Sequence, residues 1–202
     1  MAKRTVIYVP GIGDRRQGFN WLQQAFLATW LTYGFSGHLF IMDWRSSRPF
    51  SERFDELLER IDALHARGVE VSLVGASAGA ATVLLALLAR PDKLTGVATI
   101  CGQIGGTAAL HGPAAATNPR FRYSLASMQE SVARLTESER RLVMTLRPRV
   151  DRIVPPHEAV LAGAVNYEMP VSGHMVGIGF GLLLEAPRIA RFLREVATRP
   201  AR

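Results

Sequence analysis

The stretch Gly75-Ala76-Ser77-Ala78-Gly79 sets a hydroxyl between two glycines, after an apolar run at 69–74 and before a nearly all-apolar run at 77–89. Strand, G-x-S-x-G and helix in that order predict a nucleophile elbow. So tight a turn forces its serine into a strained backbone conformation, and glycines two positions to either side let the chain pass. The hydroxyl then stands at a helix N-terminus, where backbone N–H groups can stabilise developing negative charge. The plainer alternative is a small-residue helix start. It suits Gly75 and Gly79 but gives Ser77 no task.

A nucleophilic serine needs a base, and the base needs an orienting acid. Parallel α/β sheets collect functional loops at the carboxyl ends of their strands. Asp151, in RPRVDRIVPP, follows a strand expected at 141–146; His174, in VSGHMVG, follows one expected at 166–171. The chain order Ser77, Asp151, His174 is the one this elbow class requires. Glu158 and Asp43 are the alternative acids. His38 and His65 precede strands, at the opposite sheet edge. His111 falls in a loose segment, and His157 starts a short helix. Cys101, the only cysteine, ends an apolar stretch and reads as a buried small hydrophobe rather than a nucleophile.

These residues must be positioned by the elements around them. Short β-branched or apolar runs at 5–10, 39–44, 69–74, 97–101, 141–146 and 166–171 predict six strands. Between them, apolar residues at helical spacing predict helices at 20–30, from an N-cap at Ser51 to Gly68, at 77–89, around Leu125 to Leu135, and near the C-terminus. Thr136-Glu137-Ser138-Glu139 predicts a capping box. Strands alternating with helices imply βαβ units, a parallel sheet and helices on both faces. The segment 102–123, rich in Gly, Ala, Thr, Pro and Asn, is too long for a simple connection and is expected to be a lid or a mobile stretch.

Composition restricts the function classes. The chain has 202 residues, enough for one domain. Its net charge is +7, and all but Lys3 and Lys93 of its 24 cationic side chains are arginines, scattered rather than blocked. That pattern suits a solvated surface and matches no specific nucleic-acid-binding motif. One cysteine permits no internal disulfide, which fits a cytoplasmic location. The apolar runs at 80–89 and 175–184 are about half a membrane span, so no membrane insertion is expected.

Four motifs together resemble the α/β-hydrolase superfamily, in particular its small bacterial lipases and esterases: YVPGIGD, IMDWRS, VGASAGA, and VDRIVPP paired with SGH. They span nearly the whole chain in the family's order. The resemblance implies a minimal α/β-hydrolase fold: a three-layer sandwich of about six parallel strands, with the strands at 5–10 and 69–74 adjacent. Residues 1–202 would form a single domain, with 102–136 as a short cap. It also implies an oxyanion hole made by the backbone N–H groups of Ala78 and Ile12, and a structural role for Asp43-Trp44-Arg45-Ser46. Two positions differ from the family pattern: Pro10 stands where His is frequent, and Pro148 where Gly is frequent.

The implied chemistry is hydrolysis of a small carboxylic ester of short to medium acyl chain, with Ser77, His174 and Asp151 as a catalytic triad and no metal or organic cofactor. Phe19, Met175 and Phe121 are expected near the site. Arg15, Arg16, Arg120 and Arg122 would either meet an anionic ester or face water. The same triad serves thioesterases, amidases, peptidases and acyltransferases. A non-catalytic ligand-binding protein of this fold is the remaining alternative.

Overall fold

The computed structural model describes residues 3–14 and 17–198. Six strands form one sheet: β1 (Arg4–Val9), β2 (Ser36–Leu39), β3 (Glu70–Ala76), β4 (Leu94–Ile100), β5 (Val143–Val150) and β6 (Val165–Ser172). Their order is β2-β1-β3-β4-β5-β6, and every neighbouring pair is parallel. The expected three-layer α/β architecture is present, with β1 beside β3.

Side-chain alternation explains why the central strands carry apolar residues on both faces. Ile7 and Val9 of β1 join Val71 and Leu73 of β3 in one core cluster, while Val6, Tyr8, Val74 and Ala76 join the other. Successive side chains point to opposite faces, so a strand covered on both sides is mainly apolar on both, and buried Ser72 is paired with Thr95 (2.7 Å). One face is covered by α2 (Phe50–Ala66), α3 (Gly79–Ala89) and α6 (Pro119–Ser131). The other is covered by α1 (Gln17–Ala28), α8 (His174–Leu183) and α9 (Ala186–Ala197).

Several boundaries differ from the sequence expectation. The second strand is Ser36–Leu39, not 39–44. Phe40, Met42 and Trp44 are buried, yet they lie in the connection that follows; of these only Phe40 extends the pairing, donating its N–H to the Tyr8 carbonyl (2.8 Å). Their apolarity reflects burial without a ladder. His38 therefore lies within β2, bonded to Ser36 (3.0 Å). The first helix runs from Gln17 to Ala28 and tightens into a 3₁₀ turn, Thr29–Tyr33, ended by Gly34 at φ 84°. Ser51 is not an N-cap: α2 starts at Phe50, and its N-cap position is Pro49, which makes no side-chain cap bond. β5 runs on to Val150.

Segment 102–136 holds three helices, α4 (Ala108–His111), α5 (Pro113–Thr117) and α6. Phe121, Leu125, Met128 and Leu135 are buried in the core cluster that contains α3. The capping box of α7 (Glu137–Arg140) is formed as expected: Glu139 donates its N–H to Thr136 Oγ1, and the Glu139 carboxylate accepts the Thr136 N–H. Among the described residues, no helix is long and apolar enough to cross a membrane.

Candidate active site

Ser77 directly follows β3 with φ 49°, in the left-handed region that a side chain disfavours. The ladder holds it there: its N–H donates to the Ile100 carbonyl of β4 (2.9 Å). Asp43 (φ 55°) and Cys101 (φ 51°) share the conformation, one after β2 and one directly after β4. Strain is thus concentrated on the carboxyl side of the sheet, where loops rather than packed strands receive it.

The elbow glycines are required by contact. A Cβ on Gly75 would lie 2.5 Å from the Gly79 carbonyl oxygen. Gly11 is also tight, since a Cβ there would approach Ser77 Cβ to 2.9 Å. The loop after β1 is therefore packed directly on the serine.

His174 is the first residue of α8, entered through Gly173 at φ 97°. Its Nε2 lies 2.9 Å from Ser77 Oγ and its Nδ1 lies 2.7 Å from Asp151 Oδ2. An ionised carboxylate only accepts, so Nδ1 carries the proton and Nε2 accepts from the serine hydroxyl. Asp151 is oriented in turn: its Oδ1 accepts the N–H groups of Ile153 (2.8 Å) and Val154 (3.0 Å). The two loops are joined where Gly173 donates to the Val150 carbonyl (2.7 Å). The Asp151 side chain is fully buried and the imidazole nearly so. This is a continuous chain from carboxylate to imidazole to hydroxyl, in a place that excludes most water.

The other candidates serve elsewhere. Glu158 accepts from Gln103 Nε2, and its carbonyl accepts the N–H groups of Ile104 (2.9 Å) and Gly105 (2.8 Å), which anchors the chain leaving β4. His65 lies in the last turn of α2, His111 ends α4, and exposed His157 lies in a 3₁₀ turn. Cys101 is buried; desolvation, and secondarily the Asp151 charge, push its thiol well above the ordinary range, so it stays protonated. Cys101, Asp151 and His174 place one potential metal-ligand atom each within 4.8 Å of one another. Asp151 and His174 are already engaged with each other (2.7 Å).

Ile12 lies half-buried in the turn after β1, and Ala78 is buried directly before α3. Phe121 is core, its ring edge-on to Trp44 with centroids 6.4 Å apart, so it does not line the site. Arg15, Arg16 and the side chain of Phe19 lie outside the described residues. Arg122 is exposed. Arg120 neither faces water nor waits for an anion. It is 4% exposed and donates to the carbonyls of Met42 (2.7 Å) and Arg48 (3.1 Å). Beside His174, a groove of about 550 Å³ is lined by Val150, Arg152, Ile153, Met175 and Val176; all five are exposed.

Sequence reasoning missed Asp14. Its carboxylate is buried and accepts the Asp43 N–H (2.6 Å). Desolvation raises its pKa, and hydrogen bonds from the backbone of Asp43, Trp44 and Met42 act in the opposite direction. Trp44 Nε1 donates to the Pro10 carbonyl (3.1 Å). A single Asp beside a glycine turn carries no local sign of burial, so only its place directly after GIG could have drawn notice.

No protein-family model matches the sequence, and no curated protein matches it. Solved structures do. A metagenome-derived lipolytic enzyme matches with a TM-score of 0.62 at 15% identity, covering 96% of this chain and 94% of the other. A monoacylglycerol lipase of Paleococcus ferrophilus matches at 0.55 and 16% identity, over 95% and 94% of the two chains. A serine hydrolase involved in carbazole degradation matches at 0.60 and 15% identity, over 96% and 92%. The chain has the α/β-hydrolase fold.

Proposed function

We propose that this protein is a serine hydrolase that cleaves small carboxylic esters through an acyl-enzyme. The observation that carries the reading is the hydrogen-bonded series Asp151, His174, Ser77 on an elbow serine. Ser77 Oγ attacks the ester carbonyl carbon while His174 Nε2 takes its proton. The carbonyl oxygen becomes an oxyanion, met by the backbone N–H groups of Ile12 and Ala78; each such donor is worth about 3 kcal/mol of barrier. Collapse breaks the bond to the alkoxy oxygen, which leaves as alcohol with the proton from Nε2. Water repeats the sequence, releasing the acid and restoring Ser77. Asp151 holds the imidazole tautomer and stabilises the imidazolium throughout.

The lipolytic enzyme and lipase that share the fold support an ester substrate. So does the apolar groove beside His174, where Val150, Ile153, Met175 and Val176 suit a short to medium chain. The test is intact-protein mass after exposure to a fluorophosphonate. One adduct on wild type, absent in Ser77→Ala and much slowed in His174→Ala, is expected. A folded wild type that takes no adduct would overturn the reading and favour a non-catalytic ligand-binding role.

A further inference from the structure

The loop that carries Ile12 packs through the Ile12 side chain against one core cluster, and hydrogen bonds fix its two ends. Gly11 and Gly13 flank Ile12, and Gly13 has φ 98°, so neither neighbour offers a side chain as an anchor. Three ties bracket these residues: Asn20 Nδ2 donates to the Asp14 carbonyl, and two more involve the Pro10 carbonyl and the Asp14 carboxylate. On one side the Pro10 carbonyl accepts from Trp44 Nε1 (3.1 Å); on the other the Asp14 carboxylate accepts the Asp43 N–H (2.6 Å). The last two donors, Trp44 and Asp43, belong to the turn after β2. That turn is itself secured: Ser46 donates its N–H to the Asp43 carbonyl (3.0 Å), and buried Arg120 reaches across from α6 to the Met42 carbonyl (2.7 Å).

We infer that Asp14 is a positioning residue for the oxyanion hole, holding the Ile12 N–H on the Ser77 side by locking its loop to the Met42-Asp43-Trp44 turn. This rests on the proposed hydrolase reading. Asp14 touches no reacting atom. A carboxylate suits the task because its two oxygens can accept several backbone N–H groups at once, and charge-assisted bonds of this kind are short and directional. A loop displaced by a fraction of an ångström would still bind ester but would meet the oxyanion badly, so the loss should fall on the transition state.

The experiment compares wild type, Asp14→Ala and Asp14→Asn on an activated acetate ester, with thermal melting and inhibition by a trifluoromethyl ketone. That ketone forms an anionic adduct with serine and so reads the oxyanion hole directly. Asp14→Ala is expected to lower kcat by about ten- to a hundredfold with KM changed less than about threefold, and to weaken ketone inhibition by the same factor as kcat/KM. Asp14→Asn keeps one acceptor oxygen and is expected to lose about three- to tenfold, with the same parallel between the two measurements. If Asp14→Ala does not fold, Asp14→Asn decides. A folded variant with wild-type kcat and ketone affinity, or one whose loss lies in KM alone, overturns the inference. Fluorophosphonate labelling of wild type separates the two failures: without an adduct the hydrolase reading falls and takes the inference with it, whereas an adduct beside unchanged Asp14 variants removes only the inference.

Discussion

Gly79 sits against Val9: a Cβ on the glycine would lie 2.1 Å from the Val9 carbonyl oxygen and 3.0 Å from that of Pro10. The first turn of α3 is therefore pressed onto the end of β1, with no room for a methyl group. Since the obstacle is backbone at the centre of the sheet, it cannot rotate aside. Gly79→Ala is expected to destabilise by more than the ~1–3 kcal/mol typical of overpacking. Denaturant unfolding of the variant beside wild type measures this; a midpoint within error of wild type would contradict the packing.

The Asp151 carboxylate accepts from His174 and from two backbone N–H groups. Asp151→Asn preserves size but can turn an N–H₂ group toward Nδ1, which favours the wrong tautomer. A fall in kcat on the order of 10⁴ is expected, with little change in KM. Steady-state kinetics on the substituted and native proteins checks it, and a loss under tenfold would mean that Asp151 does not orient the base.

Ile153 and Met175 line the groove beside His174 and are 65% and 53% exposed. A charge placed there should repel an alkyl chain without breaking the Asp151–His174–Ser77 hydrogen bonds, because Ile153 serves Asp151 through its backbone alone. Met175→Asp and Ile153→Asp are each expected to raise KM for a hexanoate ester about tenfold while leaving the acetate ester nearly unchanged. Equal effects on both esters would place the chain elsewhere.

Burial raises the pKa of Asp14. In the folded state the carboxyl therefore holds its proton to higher pH than in the unfolded chain. Between the ordinary carboxylate pKa, about 4, and the raised value, the folded state binds more protons, so this group's contribution to stability falls as pH rises. Asp14→Asn removes that dependence. The stability of wild type relative to Asp14→Asn is expected to increase as pH is lowered through this window, read by chemical denaturation at a series of pH values. A difference independent of pH would show that Asp14 is not desolvated.

Much was legible in the sequence because it is written locally. Apolar residues on both alternating faces mark a strand covered on both sides, as in residues 6–9. G-x-S-x-G between such a strand and an apolar helix marks a turn too tight for larger residues. Strand ends single out Ser77 and His174 and narrow the acid to Asp151, with Glu158 and Asp43 as alternatives. What the sequence could not supply is pairing between distant residues. Glu158 and Asp151 are both acids after β5, and only the tertiary structure sends one to Gln103 and the other to His174. Phe40, Met42 and Trp44 look like a strand because burial, not pairing, selects apolar residues there. Arg120 looks like a surface arginine until α6 carries it to the carbonyls of Met42 and Arg48, more than seventy residues away in sequence. Asp14 is the sharpest case. Its burial and its N–H donors come from a turn twenty-nine residues later, and they exist only once β1 and β2 lie side by side.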